Sequence, residues 1–152
     1  MSADRIDVRD RLAIGDLLAG YCHAMDASRA DLCIELFAED AILVTPVGTA
    51  KGRDAILEWI EGRLALRASE YQVGHYLLNP LCTAIGPSRV RVRSMLLYTR
   101  QRIGVDGQSE LLSTGIYEDE VGKSAEGWRF LSRRWGLSEP LDADYFASLG
   151  SP

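Results

Sequence analysis

Histidine and cysteine are scarce in this 152-residue chain, which has two of the first and three of the second. Cys22, Cys33 and Cys82 lie in apolar segments at no metal-ligand spacing, and their odd number argues against a disulfide framework. They read as buried free thiols, and a reducing cytoplasm is the expected compartment. His23 falls within a helical segment without an i+4 ligand partner, so no metal site is expected. The sequence also lacks an HExxH, a CxxC, a phosphate-cradling glycine loop and a nucleophile elbow. No secretory apolar stretch opens it, and no run approaches the roughly 20 apolar residues of a membrane helix. A net charge of -5 leaves no basic field to hold nucleic acid or an anionic membrane. Arg89, Arg91 and Arg93 fall on alternate positions and read as the solvated face of a strand.

What is present is an ordinary globular composition, 47% hydrophobic and 26% charged. The length fits a single domain, residues 1–152, able to bury a core of its own. Helical signals come first. From Asp7 to Met25, apolar residues recur at Ile14, Leu17, Leu18, Tyr21 and Met25. Ser28 with Asp31 resembles a capping box opening a short helix over Leu32–Phe37. Ala41–Thr45 reads as a strand stopped by Pro46 and Gly48, and Gly52 leads into a helix over Arg53–Arg67. That helix carries Ile56, Trp59, Ile60 and Leu64 on one side.

After Glu70 the pattern turns to strands: Tyr71–Ile85, Arg89–Ile103, Ser109–Val121 and Trp128–Leu137. Gly86-Pro87, Asp106-Gly107 and Glu126-Gly127 separate them. Such short connections favour an antiparallel meander, and helices before strands make an α+β order. Val90, Val92, Ser94, Leu96 and Tyr98 share one strand face, yet Met95 and Leu97 on the other face are apolar too. A sheet apolar on both faces needs cover on both, and the helices supply only one. A second subunit is expected on the outer face.

Three places hold candidate chemistry. Tyr21 sits in the inward stripe of the first helix with a phenol that needs a partner. Asp26 ends that helix, where the macrodipole disfavours an anion, so it either wants a cationic partner or simply begins the turn. In the first long strand, period two puts His75, Leu77 and Asn79 on one face with Val73. That face is a pocket wall, or else His75 is a hydrogen-bonded structural residue. In the last strand, alternation sends one of Arg133 and Arg134 inward, where it would need an anion or a substrate oxygen.

Taken together these segments resemble the SnoaL-like branch of the nuclear-transport-factor-2-like superfamily, over nearly the whole length. The carriers are Ile14–Asp26, Leu36–Leu43, Gly52–Ile56, Gly74-His75 with Asn79, and Gly127–Phe130 followed by Arg133. The resemblance implies a cone, in which a strongly curved antiparallel sheet and about three helices enclose an apolar cavity. It also implies homodimers or homotrimers packed through the outer sheet face. The pattern is similar to scytalone dehydratase, hexachlorocyclohexane dehydrochlorinase and bile-acid 7-alpha-dehydratase, which pair a strand histidine with an aspartate ending the first helix.

The matching positions are His75 and Asp26, with Tyr21 and Arg133 as further catalytic candidates. Asn79, Arg134, Tyr98 and Trp59 are assigned to the substrate wall. The second pocket histidine of scytalone dehydratase has no counterpart here. The implied activity is a cofactor-independent acid–base elimination or proton-shift isomerisation on a small apolar cyclic or aromatic molecule. The same cone also serves as a non-catalytic binding or subunit-interaction module, such as the small subunit of a ring-hydroxylating dioxygenase. A polyketide-type cyclase is the third reading.

Overall fold

The computed structural model describes residues 6–104 and 108–136. The elements run α1 (Val8–Asp26), α2 (Ala30–Ile34), β1 (Phe37–Thr45), β2 (Gly48–Lys51), α3 (Arg53–Ala65), β3 (Tyr71–Gly86), β4 (Arg89–Arg102), β5 (Glu110–Ser124) and β6 (Gly127–Gly136). The expected turn at Asp106-Gly107 and the strand end at Leu137 lie outside the described residues. Among those described, no helix is long and apolar enough to cross a membrane.

The first helix follows its pattern. Asp7 caps α1 by accepting a hydrogen bond from the Arg9 backbone N–H at 2.8 Å, and Ile14, Leu17, Leu18, Tyr21 and Met25 are all buried. Its end departs from the expected capping box. Ser28 takes a left-handed backbone (φ 56°), α2 starts after Arg29 with no side-chain cap, and the Asp31 carboxylate pairs with Arg29 at 2.6 Å. The second helix is also shorter than expected. Phe37 leaves it to open β1, where its ring is buried 5.1 Å from that of Phe130.

The six strands form one sheet in the order β2-β1-β6-β5-β4-β3. β3 to β6 make the expected antiparallel meander. β1, however, joins β6 in parallel, so the sheet is mixed. The physical reason is the connection: α3 and three long strands separate the two, ample chain for a parallel neighbour. The stop expected at Pro46 and Gly48 is instead a tight hairpin closed by Thr45 and Gly48, which leads into β2. Arg93 does pair with Glu118 across β4 and β5 at 2.5 Å on the outer face.

Register breaks at Leu78/Leu81, Tyr98/Thr99 and Glu120/Val121 mark bulges. Each inserts extra chain on one side and bends its strand, so the sheet curls around α1. The concave face holds the core: Val90, Val92 and Leu96 from β4, Tyr117 and Val121 from β5, and Trp128 and Phe130 from β6. Rings of Tyr21, Phe37, Tyr117 and Phe130 meet edge to face at the centre. Cys22 and Cys33 are buried free thiols, while Cys82 is half-buried. On the convex face Tyr76, Leu78, Leu81, Met95 and Leu111 stand exposed.

Candidate active site

The last turn of α1 delivers Asp26 to β3, and there the two elements are tied together. Asp26 Oδ1 lies 2.5 Å from His75 Nδ1, and the His75 backbone N–H donates to both carboxylate oxygens at 3.0 and 3.2 Å. This clasp explains why an anion is tolerated at a helix C-terminus, where the macrodipole alone would repel it. It also fixes the imidazole. With Nδ1 held by the carboxylate, Nε2 is the nitrogen left without a hydrogen bond among the described residues. The Tyr98 ring rests over the imidazole, 4.6 Å between centroids and tilted by 42°.

His75 lines a cavity of about 270 Å³ on the concave face. Aromatic walls come from Tyr21, Trp59, Tyr98, Tyr117 and Trp135, and aliphatic surface from Met25, Leu96 and Leu112. Ser113, Arg63 and Arg67 are its other polar lining residues. Gly115 makes room for one wall: a Cβ there would sit 2.8 Å from Trp135 Nε1 and 2.7 Å from the Gly136 carbonyl oxygen. The result is a small pocket, apolar in the main with a few convergent polar groups, the usual form of a small-molecule site.

Behind the wall lies a second charged pair. Arg133 is fully buried, its guanidinium carbon 3.9 Å from the Tyr21 ring centre, 3.8 Å from Tyr117 and 4.5 Å from Phe130. Its Nε is 3.3 Å from Oδ1 of the buried Asp119, but neither side chain makes a well-formed hydrogen bond. The pair is held by charge and by cation–π stacking. Burial pushes the Asp119 carboxyl up to about 7, against the pull of Arg133. Burial likewise raises the Tyr21 phenol well above its ordinary value and takes Tyr117 to about 12, with Arg133 opposing both. Both tyrosines are therefore neutral donors at physiological pH. Cys22 and Cys33, pushed by burial to about 11 and about 12, are protonated thiols there.

Of the residues singled out from the sequence, His75, Tyr21, Tyr98 and Trp59 meet on one cavity, with Asp26 directly behind His75. Arg133 stacks behind Tyr21 and Tyr117 rather than lining the cavity. Arg134 and Asn79 do not belong to it. Arg134 is exposed on the convex face, in a separate depression with Arg93 and Glu118. The choice between the two arginines is made by one bulge. Val121 pairs with Phe130 but Glu120 with Ser132, so Leu131 is an extra residue and alternation inverts after it. Strict alternation from Phe130 would have turned Arg134 inward; the bulge turns Arg133 inward instead.

Asn79 is removed by a similar device. Its left-handed backbone (φ 52°) sits in the Leu78/Leu81 register break, and its amide lies 3.8 Å from Met95 Sδ on the outside. Asparagine tolerates that conformation better than most residues. Sequence reasoning missed Tyr117, Trp135 and Asp119, which look like ordinary strand residues until the bulges set their faces. It also missed Arg63 and Arg67, although they follow Trp59 at successive intervals of four on α3 and its exit.

A curved sheet closed by helices over an aromatic cavity is the architecture of the nuclear-transport-factor-2-like proteins. Within that class the chain belongs to the SnoaL-like domain family, whose model matches residues 7–134. Three solved structures show the likeness. A Novosphingobium aromaticivorans protein provisionally named an aromatic ring hydroxylase is 26% identical, with a TM-score of 0.76 over 91% of this chain and 95% of that one. A protein of the same species provisionally named a scytalone dehydratase is 22% identical, TM-score 0.73, over 87% and 86%. LinA is 22% identical, TM-score 0.73, over 90% and 92%. No curated protein matches the sequence significantly.

Proposed function

We propose that this chain is a cofactor-independent acid–base enzyme that takes a proton from a small cyclic or aromatic molecule. The reaction is completed by loss of a leaving group or by a shift of the double bond. The observation that carries this reading is the 2.5 Å contact between Asp26 and His75 Nδ1 on the wall of an aromatic cavity. Asp26 accepts the Nδ1–H, which selects the tautomer with its lone pair on Nε2. When Nε2 takes the substrate proton, the carboxylate stabilises the imidazolium that forms. The electron pair left on carbon expels the leaving group, and the Nε2 proton passes to that group or to solvent. Alternatively the pair moves into an adjacent carbonyl, and the Nε2 proton is returned at the far carbon as the double bond shifts. Tyr21, a neutral phenol, donates a hydrogen bond to the oxygen where negative charge grows. The Arg133 cation behind its ring favours that charge. The name of the dehydratase-like neighbour is consistent with chemistry of this class.

The test begins with solvent-deuterium exchange. Cyclic ketones and β-hydroxy carbonyl compounds are incubated with the protein in deuterated buffer, and exchange or elimination is followed by NMR. His75→Ala and Asp26→Ala should keep the native circular dichroism and lose roughly 10²–10⁴-fold in rate. An unchanged rate for His75→Ala on the compound that turns over ends the base assignment, and a binding or subunit role then leads. We also propose that a second or third copy of the chain covers the exposed apolar residues of the convex face. A monomer by sedimentation at micromolar concentration contradicts this.

A further inference from the structure

We infer that the molecule taken by this cavity carries an anionic group, a carboxylate in the simplest case, held at the open end between Arg63 and Arg67. This rests on the cavity being the ligand site, and it adds the class of ligand.

Trp59, Arg63 and Arg67 recur every four residues, and all three line the cavity. Four-residue spacing stacks side chains on one face of a helix. α3 ends at Ala65, and Leu66 keeps a helical backbone, so the stripe continues to Arg67. The exposed Arg63 and half-buried Arg67 mark the open end, while Trp59 stands further along the same face.

The charge there is unbalanced. Arg29, Arg53, Arg93, Arg100 and Arg133 each have a carboxylate within 4.0 Å, but neither Arg63 nor Arg67 has one among the described residues. Arg67 donates instead to the Met25 carbonyl and, at 3.4 Å, to Ser28 Oγ, which anchors the guanidinium beside the cavity. Among the described residues, no carboxylate lines the cavity. Asp26 borders an adjoining depression with Arg67, and it is already engaged by His75. Two like charges at i and i+4 repel, and a helix C-terminus accounts for a cation there but not for two facing one cavity. A ligand anion removes the conflict. The arginine fork suits a planar carboxylate, with two parallel N–H donors for its two oxygens. The aromatic walls then take the ring skeleton, and the anion stays where water still reaches it.

The experiment compares 2-naphthoate with its neutral isostere 2-naphthamide, titrated into the full chain by calorimetry. The wild type should prefer the carboxylate by about tenfold or more, the size of one charge-assisted contact. That preference should shrink as salt rises from about 50 to about 500 mM. It should fall several-fold in Arg63→Gln, which loses no intramolecular hydrogen bond, and in Arg67→Gln. Equal affinity for the two probes, a preference untouched by both substitutions, or no binding of either probe at millimolar concentration overturns the inference. The same preference should persist in His75→Ala. Loss of the acid–base reading therefore leaves this result standing, and loss of the carboxylate preference leaves the base assignment standing.

Discussion

His75 with Asp26, and Arg133 with Asp119, each join a nitrogen base to a carboxylate on the concave side of one sheet, yet they are built in opposite ways. The first pair borders the cavity. Its carboxylate accepts three contacts from a single residue, backbone and ring together, and one ring nitrogen is left over. The second pair is sealed, fully buried, and short of hydrogen bonds on both sides. A hydrogen-bonded pair with a spare nitrogen on a cavity can exchange a proton with a ligand. A dry pair cannot, and its guanidinium acts through the rings stacked on it. The difference teaches that an inward charge on this sheet is placed to meet a ligand only where hydrogen bonds and access come together.

The comparison can be broken at either pair. The largest effect is expected at the accessible one: Asp26→Asn keeps the shape but removes the charge that, in the proposed mechanism, stabilises the imidazolium. It should cost within the same roughly 10²–10⁴-fold range in kcat/KM as loss of the base, with a smaller stability loss than at the sealed pair. A large stability loss with the activity of the folded fraction intact would reverse the roles assigned to the pairs. At the sealed pair, Asp119→Ala leaves Arg133 buried and uncompensated. At pH 8, urea unfolding should show a loss of about 3–5 kcal/mol, and Asp119→Leu with Arg133→Met should recover most of it.

Gly115→Ala is a smaller probe of the wall between the pairs. Its methyl meets Trp135 and the Gly136 carbonyl, so a destabilisation of about 1–3 kcal/mol with a shifted tryptophan emission is expected. The sealed pair also predicts a pH slope. Burial raises Asp119 from an ordinary 3.8 to about 7, so between those values the folded chain holds a proton that the unfolded chain has released. Stability from this group is complete below pH about 4 and is lost as pH rises through about 7. Asp119→Asn should flatten that part of a melting-temperature profile; an unchanged profile would show that the slope arises elsewhere.

Much of the fold was legible because it is written in short-range periodicity. The α1 stripe, the inward face of β4 and the turns after β3 and β5 need only neighbours a few residues away. The end of α2, the β2 hairpin and the parallel β1–β6 pairing were not legible, because each depends on what a distant strand offers. Asp26 and His75 stood out through residue type and position, but their meeting involves residues 49 apart in the chain. Asn79 was misplaced because period-two counting assumes an unbroken register and it lies within a bulge; alternation left Arg133 and Arg134 open, and the bulge at Leu131 decides between them.

The sequence by itself determined the order of the longer helices and strands, the amphipathic faces and the stock of chemical groups, since local sterics and apolar spacing suffice for these. Only the tertiary structure decided which groups share a cavity. A bulge at Leu131 turned Arg133 inward, and a left-handed residue turned Asn79 out. The exit of α1 set Asp26 against His75. Each is a placement of one or two residues whose consequence appears only when strands pair and the sheet curves, so no local pattern could record it.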